Sequence, residues 1–267
     1  EIHARPDEEA PGEGKREDVP PAAGIAVANV SFQYQGPYSP LVLRDVSLSI
    51  PPRKTTAIVG ASGSGKTTLI KLLLGVYQPT GGRITVGDIP LAEISRRSWR
   101  AKCGLVMQDG FIFAATVADN IALTGEAVDE SRMREAARAA NIAAYIESLP
   151  LGYKTMIGAD GQGLSQGQKQ RILIARALYK NPAYLFFDEA TNALDAAGEA
   201  VVMANLAPFF RGRTVVIVAH RLSTVKNADQ IVVLDKGAVV ETGTHPGLIA
   251  RRGFYYNLVK EQLALGN

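Results

Sequence analysis

Gly60-Ala61-Ser62-Gly63-Ser64-Gly65-Lys66-Thr67-Thr68 is the stretch on which the reading of this chain turns. A β-rich run, 55–59, leads into it. A helical run, 69–76, leads out, with apolar residues at 69, 72, 73 and 76 on one face. A strand, a glycine loop and Lys-Thr opening a helix form the context in which such a loop binds phosphate. Gly60, Ser62, Gly63, Ser64, Gly65 and Thr68 complete the expected cradle, because glycines let backbone N–H groups close around phosphate oxygens. Lys66 brings a point charge for the β- and γ-phosphates, and the Thr67 hydroxyl is placed to ligate Mg2+. A glycine turn before an ordinary surface lysine is the competing reading, and the flanking strand and helix weigh against it. Alone, the loop implies a bound nucleoside triphosphate and nothing further.

Composition sets wide limits. The 267 residues are 46% hydrophobic and 21% charged, ordinary for one large globular domain or a domain with a subdomain. No run approaches the ~18 apolar residues of a membrane span. No signal peptide is visible, and the chain begins at Glu1 without Met, so a fragment of a longer polypeptide is expected. The single cysteine, Cys103, excludes an intramolecular disulfide and fits a reducing compartment as a buried residue. Net charge is +3, unevenly spread: residues 1–23 hold seven acids and three bases, net −4, which leaves +7 for the rest. A basic body suits nucleotide phosphates, an anionic membrane surface or nucleic acid, and a solvated mixed surface equally well. No basic stripe with interleaved aromatics is present, so no nucleic acid is expected.

Residues 1–23, with Pro6, Pro11, Pro20 and Pro21 among many charges, read as a flexible linker, a tether from something upstream. From residue 24 onward the pattern is α/β. Val46, Leu48 and Ile50 alternate, as do Val30, Phe32 and Tyr34, which predicts an N-terminal antiparallel β subdomain. Short strands are expected over 83–86 and 104–107, and a helix closing over 98–102. Residues 129–148 read as one helix stopped by Pro150, and 166–180 as another ended by Asn181-Pro182. Residues 183–187 and 214–219 are continuous apolar runs of the kind that form buried parallel strands, ending in Asp188-Glu189 and in His220. Short strands over 231–234 and 238–240 and a helix from Leu248 complete the pattern. Strands interleaved with helices predict a mostly parallel sheet with the active groups at strand C-termini.

Asp-Glu after an apolar strand has a chemical use downstream of a phosphate loop. Asp188 can hold the Mg2+ shell, and Glu189 can orient or deprotonate the water that attacks the γ-phosphate.

Leu164-Ser165-Gln166-Gly167-Gln168 resembles the LSGGQ signature of ATP-binding cassette (ABC) ATPases, with Gln166 at the place of the first glycine. Ser165 and Gly167 stand where the following helix favours an anion, although a plain helix cap would use the same serine. Other residues carry the resemblance further, over about 24–267. Tyr34 is similar to the aromatic that stacks on adenine, and Gln108 to the glutamine that reaches Mg2+ and the attacking water. Asn192-Ala193-Leu194-Asp195 matches the D-loop, and His220 in Ala-His-Arg-Leu-Ser matches the histidine at the γ-phosphate. The resemblance implies a P-loop ATPase core with a helical signature subdomain over about 109–180. It implies ATP and Mg2+ as ligands, with Gln108, Glu189 and His220 as catalytic residues and Thr67, Gln108 and Asp188 at the metal. Tyr34, the cradle, Ser165, Gly167, Gln168 and Asp195 would then bind nucleotide.

Two departures stand out. Gln166 is bulkier than glycine, and Gly158-Ala159-Asp160-Gly161 has Ala where exporters often carry Glu. Even so, Asp119-Asn120-Ile121 after Phe111-Ile112-Phe113, residues 219–225 and Gly243-Thr244-His245-Pro246 resemble exporters. Residues 163–171 with Tyr179-Lys180-Asn181-Pro182 look most like the ATPase domains of peptidase-containing bacterial exporters of bacteriocin-like peptides. The expected partners are a second copy in a head-to-tail, ATP-dependent dimer and a membrane domain contacted through the segment after Gln108. The expected place is the cytoplasmic face of the cell inner membrane. A soluble ABC-type ATPase acting on ribosomes or DNA is the alternative; the single cassette and the lack of a heptad insert weigh against it.

Overall fold

The structure, a computed structural model, describes residues 15–20, 23–36, 38–107, 109–123, 127–158, 161–219 and 221–264. Alternating burial makes β1 (Ile25–Phe32) and β2 (Leu43–Ile50): Ile25, Val27, Val30, Phe32, Leu43, Val46, Leu48 and Ile50 all face the core. β3 (Thr55–Val59) runs into the glycine loop, which opens α1 (Lys66–Leu73). β4 (Gly81–Val86), β5 (Ile89–Pro90), α2 (Arg96–Lys102) and β6 (Cys103–Val106) follow. The middle third is largely helical, with β7 (Ala115–Thr116), α3 (Val117–Ala122), α4 (Glu130–Ala139), α5 (Ala143–Ser148), β8 (Met156–Ile157) and α6 (Gln166–Tyr179). The last third runs β9 (Tyr184–Asp188), α7 (Ala196–Phe210), β10 (Thr214–Val218), α8 (Leu222–Val225), β11 (Gln230–Asp235), β12 (Ala238–Gly243), α9 (His245–Arg251) and α10 (Phe254–Ala264).

The central sheet has the order β12-β11-β3-β10-β9-β6 and is parallel except for the edge strand β12. A second, antiparallel sheet has the order β2-β1-β4-β5. The chain leaves β3 in one direction toward β6 and returns from β10 to β11 on the other side. The crevice at the C-terminal end of β3 is therefore a topological switch point, where ligands of such sheets bind.

The two faces of the central sheet bury two cores, because residues alternate across a strand. Ile58, Phe186, Val216, Val218 and Val232 face the antiparallel sheet, with Leu69, Ile70, Leu72 and Leu73 of α1 held between the two sheets. Ala57, Val59, Leu185, Phe187, Val215 and Ile217 face the helices of the middle and last thirds. α6 packs on α3 and α4 and so anchors the helical subdomain to β6. Among the described residues no helix is long and apolar enough to cross a membrane.

Several expectations are corrected. α1 ends at Leu73, where Gly75 turns left-handed at φ 67°, so Val76 lies past the helix and is exposed. The single helix expected over 129–148 is two, α4 and α5, parted by Asn141 in the left-handed region at φ 54°. The C-terminal helix is likewise two, with Arg252 at φ 53° between them. Tyr34 does not continue the alternation of β1, which stops at Phe32. α7 was not expected; its residues are apolar nearly all round, and Gly198 and Pro208 lie within it, so no helical stripe shows in the spacing.

The segment expected as a linker through residue 23 is not all tether. Arg16 N–H donates to Glu93 O and Arg16 O accepts from Ser95 N–H, both at 2.8 Å. Val19 is buried in the core beneath the antiparallel sheet. The Tyr184 hydroxyl donates to Pro20 O at 2.9 Å while its ring packs on Trp99.

Candidate nucleotide site

Glycine chemistry shapes the loop. Gly60 has φ 155°, and a Cβ there would lie 2.1 Å from Leu234 O and 2.7 Å from Ser64 Oγ. Gly65 has φ 101°, and a Cβ would lie 2.6 Å from Leu43 Cδ2. Only glycine meets both demands. The loop delivers the start of α1 with no side-chain cap and no acid in its first turn. Its first N–H groups and the positive end of the helix are thus free for an anion. Ser64 Oγ, buried and without a hydrogen-bond partner among the described residues, points to the same use. A phosphate group fits this cradle.

Lys66 is 5% exposed, and its Nζ donates to Gly60 O and Ala61 O, each at 2.9 Å. Burial pulls its pKa down, while Glu189 and Asp188 pull it back up. Thr67 Oγ1 donates to Asp188 Oδ1 at 3.2 Å. Sheet register explains the meeting: Val218 of β10 pairs with Ile58 of β3 on one side and with Asp188 of β9 on the other. Asp188 therefore stands level with Ile58, one residue before the end of β3. Burial raises the Asp188 carboxyl above its ordinary range; the Thr67 hydrogen bond opposes this, Glu189 adds to it, and Lys66 and Lys71 oppose it. A hydroxyl and a carboxylate at this separation are hard oxygen donors that suit Mg2+, and the carboxyl's raised pKa falls when a cation arrives.

Glu189 takes φ 51°, a left-handed turn directly after β9. Its N–H donates to Val218 O at 3.0 Å, and its Oε2 accepts from Asn192 Nδ2 at 2.7 Å. Tyr34 stands half in solvent beside the loop. Its hydroxyl lies 2.9 Å from Thr68 Oγ1, and its ring meets Phe32 and Tyr77 edge-on at 4.9 and 5.4 Å. Thr68, expected in the phosphate cradle, thus turns its hydroxyl to Tyr34.

Ser165, Gly167 and Gln168 lie elsewhere. Ser165 caps α6, accepting from Gln168 N–H at 3.2 Å while Gln168 Oε1 accepts from Ser165 N–H at 2.8 Å. Among the described residues no hydrogen bond joins them to the glycine loop. Asp195 caps α7 through Gly198 N–H at 3.2 Å. Gly167 adjoins this turn, since a Cβ there would lie 3.5 Å from Ala193 O. Gln108, His220, Ala159 and Asp160 fall outside the described residues.

The segment after Gln108 is tied to α6. Arg176 donates to Phe111 O at 2.9 Å and to Asn120 O at 2.7 Å, and lies over the Phe113 ring. Burial lowers its pKa to about 10. Phe111 and Phe113 remain exposed, and Leu105 and Leu123 lie at the edge of a cavity of about 590 Å3 shared with Arg176 and Tyr179.

Sequence reasoning missed Thr191, Glu199 and Arg221, which form a half-buried polar cluster around the buried Glu199 carboxylate behind the site. One signal was available: Glu199 is the single charged residue between Ala196 and Phe210.

The family model described as ABC transporter matches residues 43–192. The chain is 42% identical over 254 residues to an ATP-dependent lipid A-core flippase of Saccharophagus degradans, covering 95% of this chain and 43% of that protein. It is 46% identical over 235 residues to a toxin RTX-III translocation ATP-binding protein of Actinobacillus pleuropneumoniae, covering 88% of this chain and 33% of that one. A solved bacterial Atm1-family ABC exporter with ATP bound superposes with a TM-score of 0.89 at 37% identity, over 95% of this chain and 44% of that chain. The chain thus spans less than half the length of these relatives.

Proposed function

The chain belongs to the ABC transporter family, and from that premise we propose that it is the ATP-hydrolysing domain of an exporter, working as a pair of copies joined to membrane domains. The observation that carries this reading is the convergence of Lys66, Thr67, Asp188 and Glu189 at one end of the parallel sheet, with Thr67 and Asp188 in contact. Relatives named as a flippase and as a toxin translocation protein, and the ATP-bound exporter, support it.

Each side chain then has a task. Tyr34 holds the adenine ring while its hydroxyl stays on Thr68. Lys66 exchanges the carbonyls of Gly60 and Ala61 for phosphate oxygens, at little desolvation cost because it is already buried. Thr67 and Asp188 would hold Mg2+, which neutralises phosphate charge and polarises the terminal phosphoryl group. Glu189, held by Asn192, orients the attacking water and accepts its proton. Gln108 and His220 keep the catalytic roles assigned by resemblance.

The signature residues explain the pairing. Ser165 keeps a donor hydrogen after capping α6, and it is exposed at a helix N-terminus with, among the described residues, no hydrogen bond to its own loop. A second copy placed head to tail brings that end to the γ-phosphate. Asp195 and the turn before it lie at the same border. The exposed Phe111 and Phe113, held by Arg176, suit the contact with the membrane domain at the cytoplasmic face of the inner membrane.

The narrower reading, a peptide cargo carried by the peptidase-containing subtype, gains no support from the relatives named above, a lipid A-core flippase and a toxin translocation protein. The relatives named for membrane export also turn the balance against a soluble ATPase on ribosomes or DNA. The test is phosphate release against protein concentration with Mg2+-ATP, with light scattering alongside. Second-order dependence and an ATP-dependent dimer are expected; hydrolysis independent of concentration from a monomer would overturn the shared site.

A further inference from the structure

One buried carboxylate gathers the loops behind the catalytic strand ends. Glu199, 2% exposed, sits one turn into α7. Its Oε1 accepts from the hydroxyls of Thr191 at 2.9 Å and Thr224 at 2.6 Å. Its Oε2 pairs with the Arg221 guanidinium, whose other terminal nitrogen donates to Leu194 O at 2.9 Å. Thr191 lies two residues after Glu189, Leu194 directly precedes Asp195, and Arg221 directly follows His220. Three segments that would meet at a γ-phosphate are thus tied to one side chain that does not reach the nucleotide site itself.

Stability alone is a weak account of this arrangement. Burying a carboxylate has a desolvation cost that its partners often do no more than offset, so an apolar replacement of similar volume can be as stable, while losing one partner is costly. The neighbouring surface of α7 is apolar, with Met203 and Phe210 lining a cavity of about 590 Å3 that Glu199 and Thr224 also line. What the carboxylate adds is a fixed register between β9's exit, the turn before α7, and the entry to α8.

We propose that Glu199 is a positioning residue for ATP hydrolysis, holding the segment behind Glu189 and the segment that follows His220 in one register through Thr191, Thr224 and Arg221. The proposal rests on the ATPase reading above. The experiment is steady-state ATP hydrolysis by the 267-residue chain, with kcat referred to sites titrated with a fluorescent ATP analogue. Glu199→Gln keeps the shape and an acceptor oxygen but loses the charge that holds Arg221. It should lower kcat about 10-fold or more with KM changed less than about 2-fold, the signature of an interaction that matters in the transition state. Thr191→Val should lower kcat about 3-fold, and the double variant should be no slower than Glu199→Gln, since contacts in one network do not add. A purely structural role would reduce the number of titratable sites and leave kcat per site unchanged; that result overturns the proposal. If Glu199→Gln fails to fold, Thr191→Val alone decides between the same outcomes. An unaltered chain that hydrolyses no ATP at any concentration would overturn the ATPase reading, and this proposal with it; an active chain with equally active variants overturns this proposal alone.

Discussion

Thr67 Oγ1 and Asp188 Oδ1 lie 3.2 Å apart although 121 positions separate them in the chain. One is carried on the first turn of the helix after β3, the other on the last residue of β9, with β10 between the two strands. The contact preorganises two oxygen ligands in a largely buried place.

Asp188→Asn tests the cost of that preorganisation. The folded chain holds the Asp188 proton to higher pH than the unfolded chain does, chiefly through burial. Between the unfolded and folded pKa values the folded state binds more protons, so stability falls as pH rises through that window. Without nucleotide or Mg2+, Asp188→Asn should melt above the unaltered chain at pH 7. The two melting points should converge as pH falls to the ordinary carboxylate value, about 3.9. A lower melting point at pH 7 would show that the ionised form is the stabilised one.

Lys66→Ala removes the buried ammonium from the loop. A hydrogen bond to a charged group is worth about 1.5–3 kcal/mol, so nucleotide affinity should fall roughly 10- to 150-fold. Titration with a fluorescent ATP analogue reads this; unaltered affinity would remove Lys66 from the site.

Glu189→Gln keeps the left-handed turn and the hydrogen bond from Asn192 to the side-chain oxygen. Loss of a general base costs on the order of 10²–10⁴ in rate. Phosphate release should nearly vanish while ATP binding persists and the ATP-bound dimer accumulates in light scattering. Unchanged turnover would exclude Glu189 as the base.

Ser165→Ala removes the cap of α6. The lost cap should cost about 1 kcal/mol in stability by urea unfolding. ATP-driven dimerisation should fall by more than that loss explains. Normal dimer formation would assign Ser165 to capping alone.

Val19→Ala examines the docked N-terminal segment. Val19 is 3% exposed beneath the antiparallel sheet. Truncating it should destabilise the chain by about 1–2 kcal/mol, the cost of two buried methyl carbons and the gap left behind. A change below about 0.3 kcal/mol would mean that the segment is loosely held in solution.

What the sequence determined by itself was local and chemical. The glycines at 60 and 65, the lysine and threonine after them, the Asp-Glu at an apolar strand end and the capping serine at 165 are each recognisable because their chemistry needs those residue types in a short window. Apolar runs at 183–187 and 214–219 likewise announced buried parallel strands. Helix lengths were less legible, because Gly75, Asn141 and Arg252 end helices through left-handed dihedrals that leave no mark in hydrophobic spacing.

Only the tertiary structure decided which distant residues meet. Strand order sets β10 between β3 and β9 and so brings Asp188 to Thr67. The fold turns Thr68 toward Tyr34, keeps Ser165 as the cap of α6, and seats Val19 and Pro20 against the body. It also buries Glu199 among Thr191, Thr224 and Arg221. A sequence records residue types along one dimension. These contacts depend on sheet register and helix packing, which arise only when the whole chain buries its two cores at once.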